Sequence, residues 1–202
     1  MEFLVFLLDK LAGAIVALPV VMLFLFIFDR KRLVEKWIWV VLFVVYMNAM
    51  LVMIGAPNYA YFVYKPTVNL IPFRDFSLDN IKGMILNIIM FVPFGFFLPV
   101  YFKQFRSLAS TVLAGAVMSV LIEILQLFTF RVTDVDDLLM NTIGAFLGYV
   151  IAAFLIQKTG KKTEKDRDII KLTVIVVVHI LVCVFVNYQI MEVILCALGM
   201  LE

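Results

Sequence analysis

Apolar residues run in six long stretches along this chain, at about Leu11–Phe28, Trp37–Ile54, Ile85–Phe102, Leu108–Phe130, Leu138–Ile156 and Leu172–Leu198. Each approaches or exceeds the roughly 20 residues a helix needs to cross the ~30 Å hydrocarbon layer of a bilayer. The pattern predicts an all-α integral membrane bundle of about six transmembrane helices, read as a single membrane domain over residues 1–202. The last stretch is longer than a bilayer requires, and Asn187, Gln189 and Glu192 place its surface exit near Asn187, with an interfacial tail beyond. Asp9 and Lys10, rather than a basic cluster, precede the first stretch, which reads as a retained helix and not a cleaved leader.

Polar residues break this pattern in one place. Glu123, Gln126, Arg131, Asp134, Asp136, Asp137 and Asn141 flank the junction of the fourth and fifth stretches, while Leu108–Leu121 and Leu138–Ile156 carry no charge. A carboxylate facing lipid costs a few kcal/mol or more unless it is paired, solvated or used. Glu123 and Gln126 are three positions apart, Asp137 and Asn141 four, so each pair shares a helix face and two polar stripes can face each other across the turn. Taken singly, the three aspartates read as solvated loop acids and an N-cap. Gln126 and Asn87 read equally as interhelical hydrogen-bond partners.

Composition adds that 65% of residues are hydrophobic, well above the ~45–50% of soluble domains, which settles the membrane class. The net charge of +2 points to neither nucleic acid nor an acidic partner. Lys and Arg are instead sorted by loop. Twelve lie on the first, third and fifth connections and five elsewhere, at Lys10, Lys65, Arg74, Lys82 and Arg131. The positive-inside bias makes the odd connections cytoplasmic and puts both termini, the Pro57–Asn80 loop and the Arg131–Asp137 loop outside. Glu123, seven residues before Phe130, then lies roughly 10 Å below the outer end of its helix, and Asn87 at a comparable depth.

Other candidates carry less. His179 stands among Val and Ile without further metal ligands and reads as a packing or hydrogen-bonding residue. Cys183 and Cys196 are too far apart on one helix to bridge. Trp37, Trp39, Tyr59, Tyr61 and Tyr64 read as interfacial belt residues. Pro93 predicts a kink in the third helix, with Gly95 beside it; Gly144 and Gly148 predict a close helix contact. No phosphate loop, nucleophile elbow or zinc-protease signature occurs, and no cofactor is implied.

Read in order, Asn69-Leu-Ile-Pro-Phe73, Asn87, Phe91-Val-Pro-Phe-Gly95, Glu123-Ile-Leu-Gln126, Arg131, Asp134-Val-Asp-Asp137 and Asn141-Thr-Ile-Gly144 closely resemble the VanZ-like membrane proteins over a core of about 69–148. The resemblance implies a multi-pass protein of the bacterial plasma membrane associated with reduced susceptibility to teicoplanin and other lipidated glycopeptides. The site expected from the residues is Arg74, Asn87, Glu123, Gln126, Arg131, Asp134, Asp136, Asp137 and Asn141, with the arginines on the head group of an amphiphilic envelope ligand and Glu123, Gln126 and Asn87 ordering the pocket. The expected partners are membrane lipids, with a polyprenyl-linked cell-wall precursor or a lipoglycopeptide as candidate ligands. Two alternatives stand beside this. One is an enzyme that uses the carboxylates, with or without a divalent cation, on an envelope lipid; the other is a small transporter.

Overall fold

A computed structural model describes residues 8, 11–57, 60, 62–64, 66–74, 77–157 and 168–197. Both termini, Tyr59, Tyr61 and the cationic 158–167 connection lie outside the described residues. Seven α-helices occur among those described: α1 Ala14–Phe28, α2 Arg30–Met53, α3 Leu78–Tyr101, α4 Leu108–Gln126, α5 Val135–Gln157, α6 Asp168–Phe185 and α7 Asn187–Ala197. Two short strands, β1 Val68–Asn69 and β2 Thr133–Asp134, pair in parallel with Val68 beside Thr133 and Asn69 beside Asp134.

The all-α membrane class holds, and the count of six spans is not confirmed among the described residues. Three helices, α3, α4 and α5, are each long and apolar enough to cross a membrane, and α6 with α7 forms a fourth candidate bent by 54°. The first apolar run gives a helix of only 15 residues, about 22 Å of rise. Its ladder is interrupted at Gly13, whose amide donates instead to Asn187 Oδ1 at 2.7 Å. In the second run, the apolar part of α2 spans only Trp37–Met53.

The chain forms two compact units, residues 1–64 with 172–202, and residues 65–171. In the first, α1 buries Ala17, Val21 and Leu25, and α2 buries Phe43, Val44, Met47 and Leu51. His179 lies between carbonyls, its Nδ1 2.6 Å from Ile175 O and its Nε2 3.1 Å from Val44 O. That is the structural role its sequence setting predicts. Asn187 is buried at the α6–α7 bend rather than at a surface exit, because its side chain satisfies Gly13. Trp37, Trp39 and Tyr64 are exposed.

The second unit is α3, α4 and α5 with the two strands. Ser77 caps α3 by accepting from Asn80 N at 3.2 Å, and Ser107 caps α4 by accepting from Ser110 N at 3.1 Å. Helix α3 runs unbroken through Pro93 and Pro99. Helices α3 and α5 are in backbone contact: a Cβ on Gly95 would strike the Ala145 carbonyl, one on Gly144 the Ile88 carbonyl, and one on Gly148 the Val92 carbonyl, with Phe96 N at 2.7 Å. Glycine is required there by the closeness of approach. On α4, Leu113, Val117, Val120 and Ile124 form an exposed apolar stripe, while Gly115, Ser119, Glu123 and Gln126 are buried. Apolar outside and polar inside is the arrangement lipid selects.

Candidate functional site

Helices α4 and α5 run antiparallel, and their side chains meet in register. A Cβ on Gly115 would contact Cβ of Ala145, and one turn further along α4 Asn141 Nδ2 donates to Ser119 Oγ at 2.8 Å. Another turn along, Glu123 on α4 comes opposite Asp137 on α5. The two stripes read from the sequence thus face each other as rungs. Asn141 is 2% exposed, Gln126 3% and Glu123 8%.

The α-helical ladder of α4 stops at Gln126 rather than Phe130: the amides of Phe128 and Thr129 turn to carbonyls three residues back, Leu125 O at 3.1 Å and Gln126 O at 3.0 Å, and threonine hydroxyls share the last carbonyls. Thr129 Oγ1 donates to Gln126 O at 2.9 Å and Thr133 Oγ1 to Glu123 O at 3.2 Å. Glu123 consequently lies about 4.5 Å below the helix end instead of ~10 Å. Its Oε2 accepts from Asp134 N at 3.0 Å, while Oε1 is buried and accepts no hydrogen bond among the described residues. The Oδ1 of Asn141 is in the same condition.

The two loops that close this end are tied together by the acids. Asn69 Nδ2 donates to both carboxylate oxygens of Asp134, at 3.3 and 3.2 Å, and Asp136 N donates to Asp134 Oδ1 at 2.9 Å. Asn69 Oδ1 meanwhile accepts from Ile71 N at 3.2 Å, a local turn that starts the following bend. At the end of that bend Phe73 takes a positive φ of 55° and points its amide at both oxygens of Asp136, 3.0 Å from each. A phenylalanine in this region is strained, and the carboxylate contact holds it there. On α3, Asn87 Nδ2 donates to Asp137 Oδ1 at 2.5 Å.

Asn87 lies nine residues into α3, whereas Asp137 is the third residue of α5. The first turns of α3 therefore overhang the start of α5 by roughly 10 Å. Beneath the overhang is a cavity of about 160 Å³ whose wall includes Phe73, Asp79, Gly83, Asp134, Asp136 and Asp137. Asp79 is paired with Lys82 at 2.9 Å on the exposed side. Leu70, Ile71, Phe73, Phe130 and Val132 on the two closing loops are all exposed.

Of the nine residues expected at the site, Asn87, Glu123, Asp134, Asp136 and Asp137 come together at or directly behind the cavity wall. Asn141 lies one turn deeper, and Gln126 is buried in the last turn of α4. Arg131 is exposed, but its charge acts on both Glu123 and Asp137. Arg74 is exposed, follows Phe73 in the chain, and does not line the cavity. Among the described residues no group of three acidic, histidine or cysteine side chains converges as a metal-ligand set. Sequence reading left out Ser119, although its position four before Glu123 puts it on the same face. It also left out Asn69 and Phe73, whose roles arise only from loop pairing.

Comparison with known proteins completes the picture. The VanZ/LLP1 family model matches residues 43–156. The chain is also 35% identical to protein VanZ of Enterococcus faecium over 146 residues, which cover 72% of this chain and 83% of that protein. The chain belongs to the VanZ/LLP1 family. The VanZ/LLP1 match extends beyond the motif-bearing 69–148 region to take in the later part of α2 and nearly all of α5. It contains every residue of the cluster and excludes α1, α6 and α7. No solved structure matches the chain.

Proposed function

We propose that this VanZ/LLP1 member binds an amphiphilic molecule of the cell envelope at the outer face of the plasma membrane, and that this binding lowers susceptibility to lipidated glycopeptides such as teicoplanin. The observation that carries the reading is the juxtaposition of a polar cavity with exposed apolar loop residues. Phe73 belongs to both: it lines the cavity and continues the exposed Leu70–Ile71 segment. A polar head group fits the cavity and its chain can lie along the loop residues toward lipid, a division of contacts typical of small-molecule sites. The outward orientation rests on the sorting of Lys and Arg among the loops, and the resistance association on the family. Arg74, one residue beyond the cavity wall, and Arg131 are positioned on the same loops to meet an acidic part of the ligand.

Gly83 offers a clean test. It lines the cavity, and a Cβ placed on it meets nothing within 4 Å, so a side chain can start there without a clash at its first atom. Purified protein in lipid nanodiscs is titrated with fluorescent teicoplanin and, separately, with a polyprenyl phosphate. Wild type is expected to bind one of the two saturably, and Gly83→Trp to weaken that binding at least tenfold. Binding of both probes that is unchanged in Gly83→Trp would overturn the cavity as the site.

A further inference from the structure

We propose that the group held in this cavity is a primary ammonium carried by the amphiphile, so that the ligand's positive charge, rather than a phosphate, is what the cavity recognises. The inference rests on the cavity being the binding site, as argued above, and adds the chemistry of the head group.

The charge count leads to it. Glu123, Asp134, Asp136 and Asp137 are linked into one cluster, to which the side-chain amides of Asn69 and Asn87 and the backbone amides of Phe73, Asp134 and Asp136, all neutral, donate. Arg131 acts on two members of the cluster. Even if the whole of Arg131 and of Arg74 is assigned to it, two carboxylates remain in excess. Asp79, also on the wall, is matched by Lys82.

A second observation concerns the buried edge of the same cluster. Glu123, 8% exposed, is anchored through Oε2 on the amide of a wall residue, Asp134, and faces another, Asp137, across the helix register. Its Oε1 accepts no hydrogen bond among the described residues. Two facing carboxylates with an unused buried acceptor leave a place for a further cationic donor beside Arg131. A metal ion would need three converging ligands, and no such set exists among the described residues. An ammonium makes weaker geometric demands, since three rotatable N–H donors on a flexible stem can reach scattered oxygens directly or through water. About 160 Å³ admits an aminoalkyl head with a few waters, each needing ~30 Å³.

The test uses the full chain in phosphatidylcholine nanodiscs and four probes: hexadecylamine, its N-acetyl amide, hexadecyl phosphate and butylamine. Binding is read by native mass spectrometry and by competition with a fluorescent alkylamine, in wild type, Glu123→Gln, Asp137→Asn and Gly83→Trp. Hexadecylamine is expected to bind at least tenfold more tightly than the amide. That preference is expected to fall below threefold in Glu123→Gln and in Asp137→Asn, and each variant serves if the other is not recovered from membranes. Strong competition by butylamine would support a soluble amine as the source of the group, and weak competition a lipid head group. Equal binding of amine and amide, or tighter binding of the phosphate, with all binding lost in Gly83→Trp, would overturn the ammonium inference and leave the cavity reading intact. Binding indifferent to Gly83→Trp would overturn both.

Discussion

Adding one methyl group at Gly148 and one at Gly83 should shift stability in opposite directions, because the two glycines stand in the same unit under opposite steric conditions. At Gly83 a new Cβ meets nothing within 4 Å. Gly83→Ala therefore collects only the helix-propensity gain, about 0.5–1 kcal/mol. At Gly148 the new Cβ would fall on the Val92 carbonyl oxygen, with Phe96 N at 2.7 Å and Gly95 C at 2.9 Å. All three are backbone atoms of α3, so relief requires moving one helix away from the other over their closest contact. Overpacking of this kind costs about 1–3 kcal/mol and often more where the neighbour is main chain. After subtracting the propensity gain, Gly148→Ala should lose ~1–2 kcal/mol, near a tenfold change in the folding equilibrium. Gly95→Ala, which meets the Ala145 carbonyl, should behave in the same way. The assay is reversible unfolding of purified protein in mixed micelles with rising SDS, followed by helical circular dichroism. A Gly148→Ala variant as stable as wild type, or a Gly83→Ala variant destabilised to the same extent, would refute the α3–α5 contact.

Other consequences can be checked independently. In a version lacking Cys183 and Cys196, a cysteine at the exposed Val132 position should be labelled by an impermeant reagent in intact cells and one at position 162 protected; the reverse pattern would invert the topology. Cysteines replacing Val68 and Thr133, neighbours in the parallel ladder, should oxidise to a bridge readily, whereas an Ile71–Thr133 pair should not; equal yields would show that the strand register is wrong. Ser119→Ala should cost about 1–2 kcal/mol by stranding the Asn141 amide, and a cycle with Asn141→Leu should give a coupling of roughly 0.6–1.7 kcal/mol; no coupling would dissolve that rung.

Much of this was legible from residue order. The apolar runs overlap every described helix, the last run taking in both α6 and α7, and the intervals between Glu123 and Gln126 and between Asp137 and Asn141 put these side chains on shared helix faces. Helix ends were less legible. Hydropathy carries α4 on to Phe130, but its ladder tightens to three-residue bonds after Gln126, with the Thr129 and Thr133 hydroxyls on the same carbonyls, and an apolar scale does not register hydrogen bonding. The same limitation applies at Gly13, where a residue from the far end of the chain takes the backbone amide and shortens the first helix. The overhang of α3 and the cavity beneath it depend on a helix beginning at Leu78, within a stretch containing Asp79, Asn80 and Lys82 that hydropathy assigns to a loop. Capping by Ser77 was the available signal. Arg74 and Arg131 drew attention as outside cations, yet four of the eight wall residues are aspartates and neither arginine is among them. Charge sign along a sequence reports topology before it reports ligand chemistry.

The central claim is that the Glu123–Asp137 rung belongs to a working site and not to a scaffold. It is tested most directly by expressing wild type, Glu123→Gln and Asp137→Asn in a teicoplanin-susceptible host and measuring teicoplanin susceptibility against membrane abundance. Each change keeps side-chain volume and removes one charge. The account predicts that wild type reduces susceptibility and that both variants lose the effect at wild-type abundance. Full protection by Glu123→Gln and Asp137→Asn at normal abundance would contradict it.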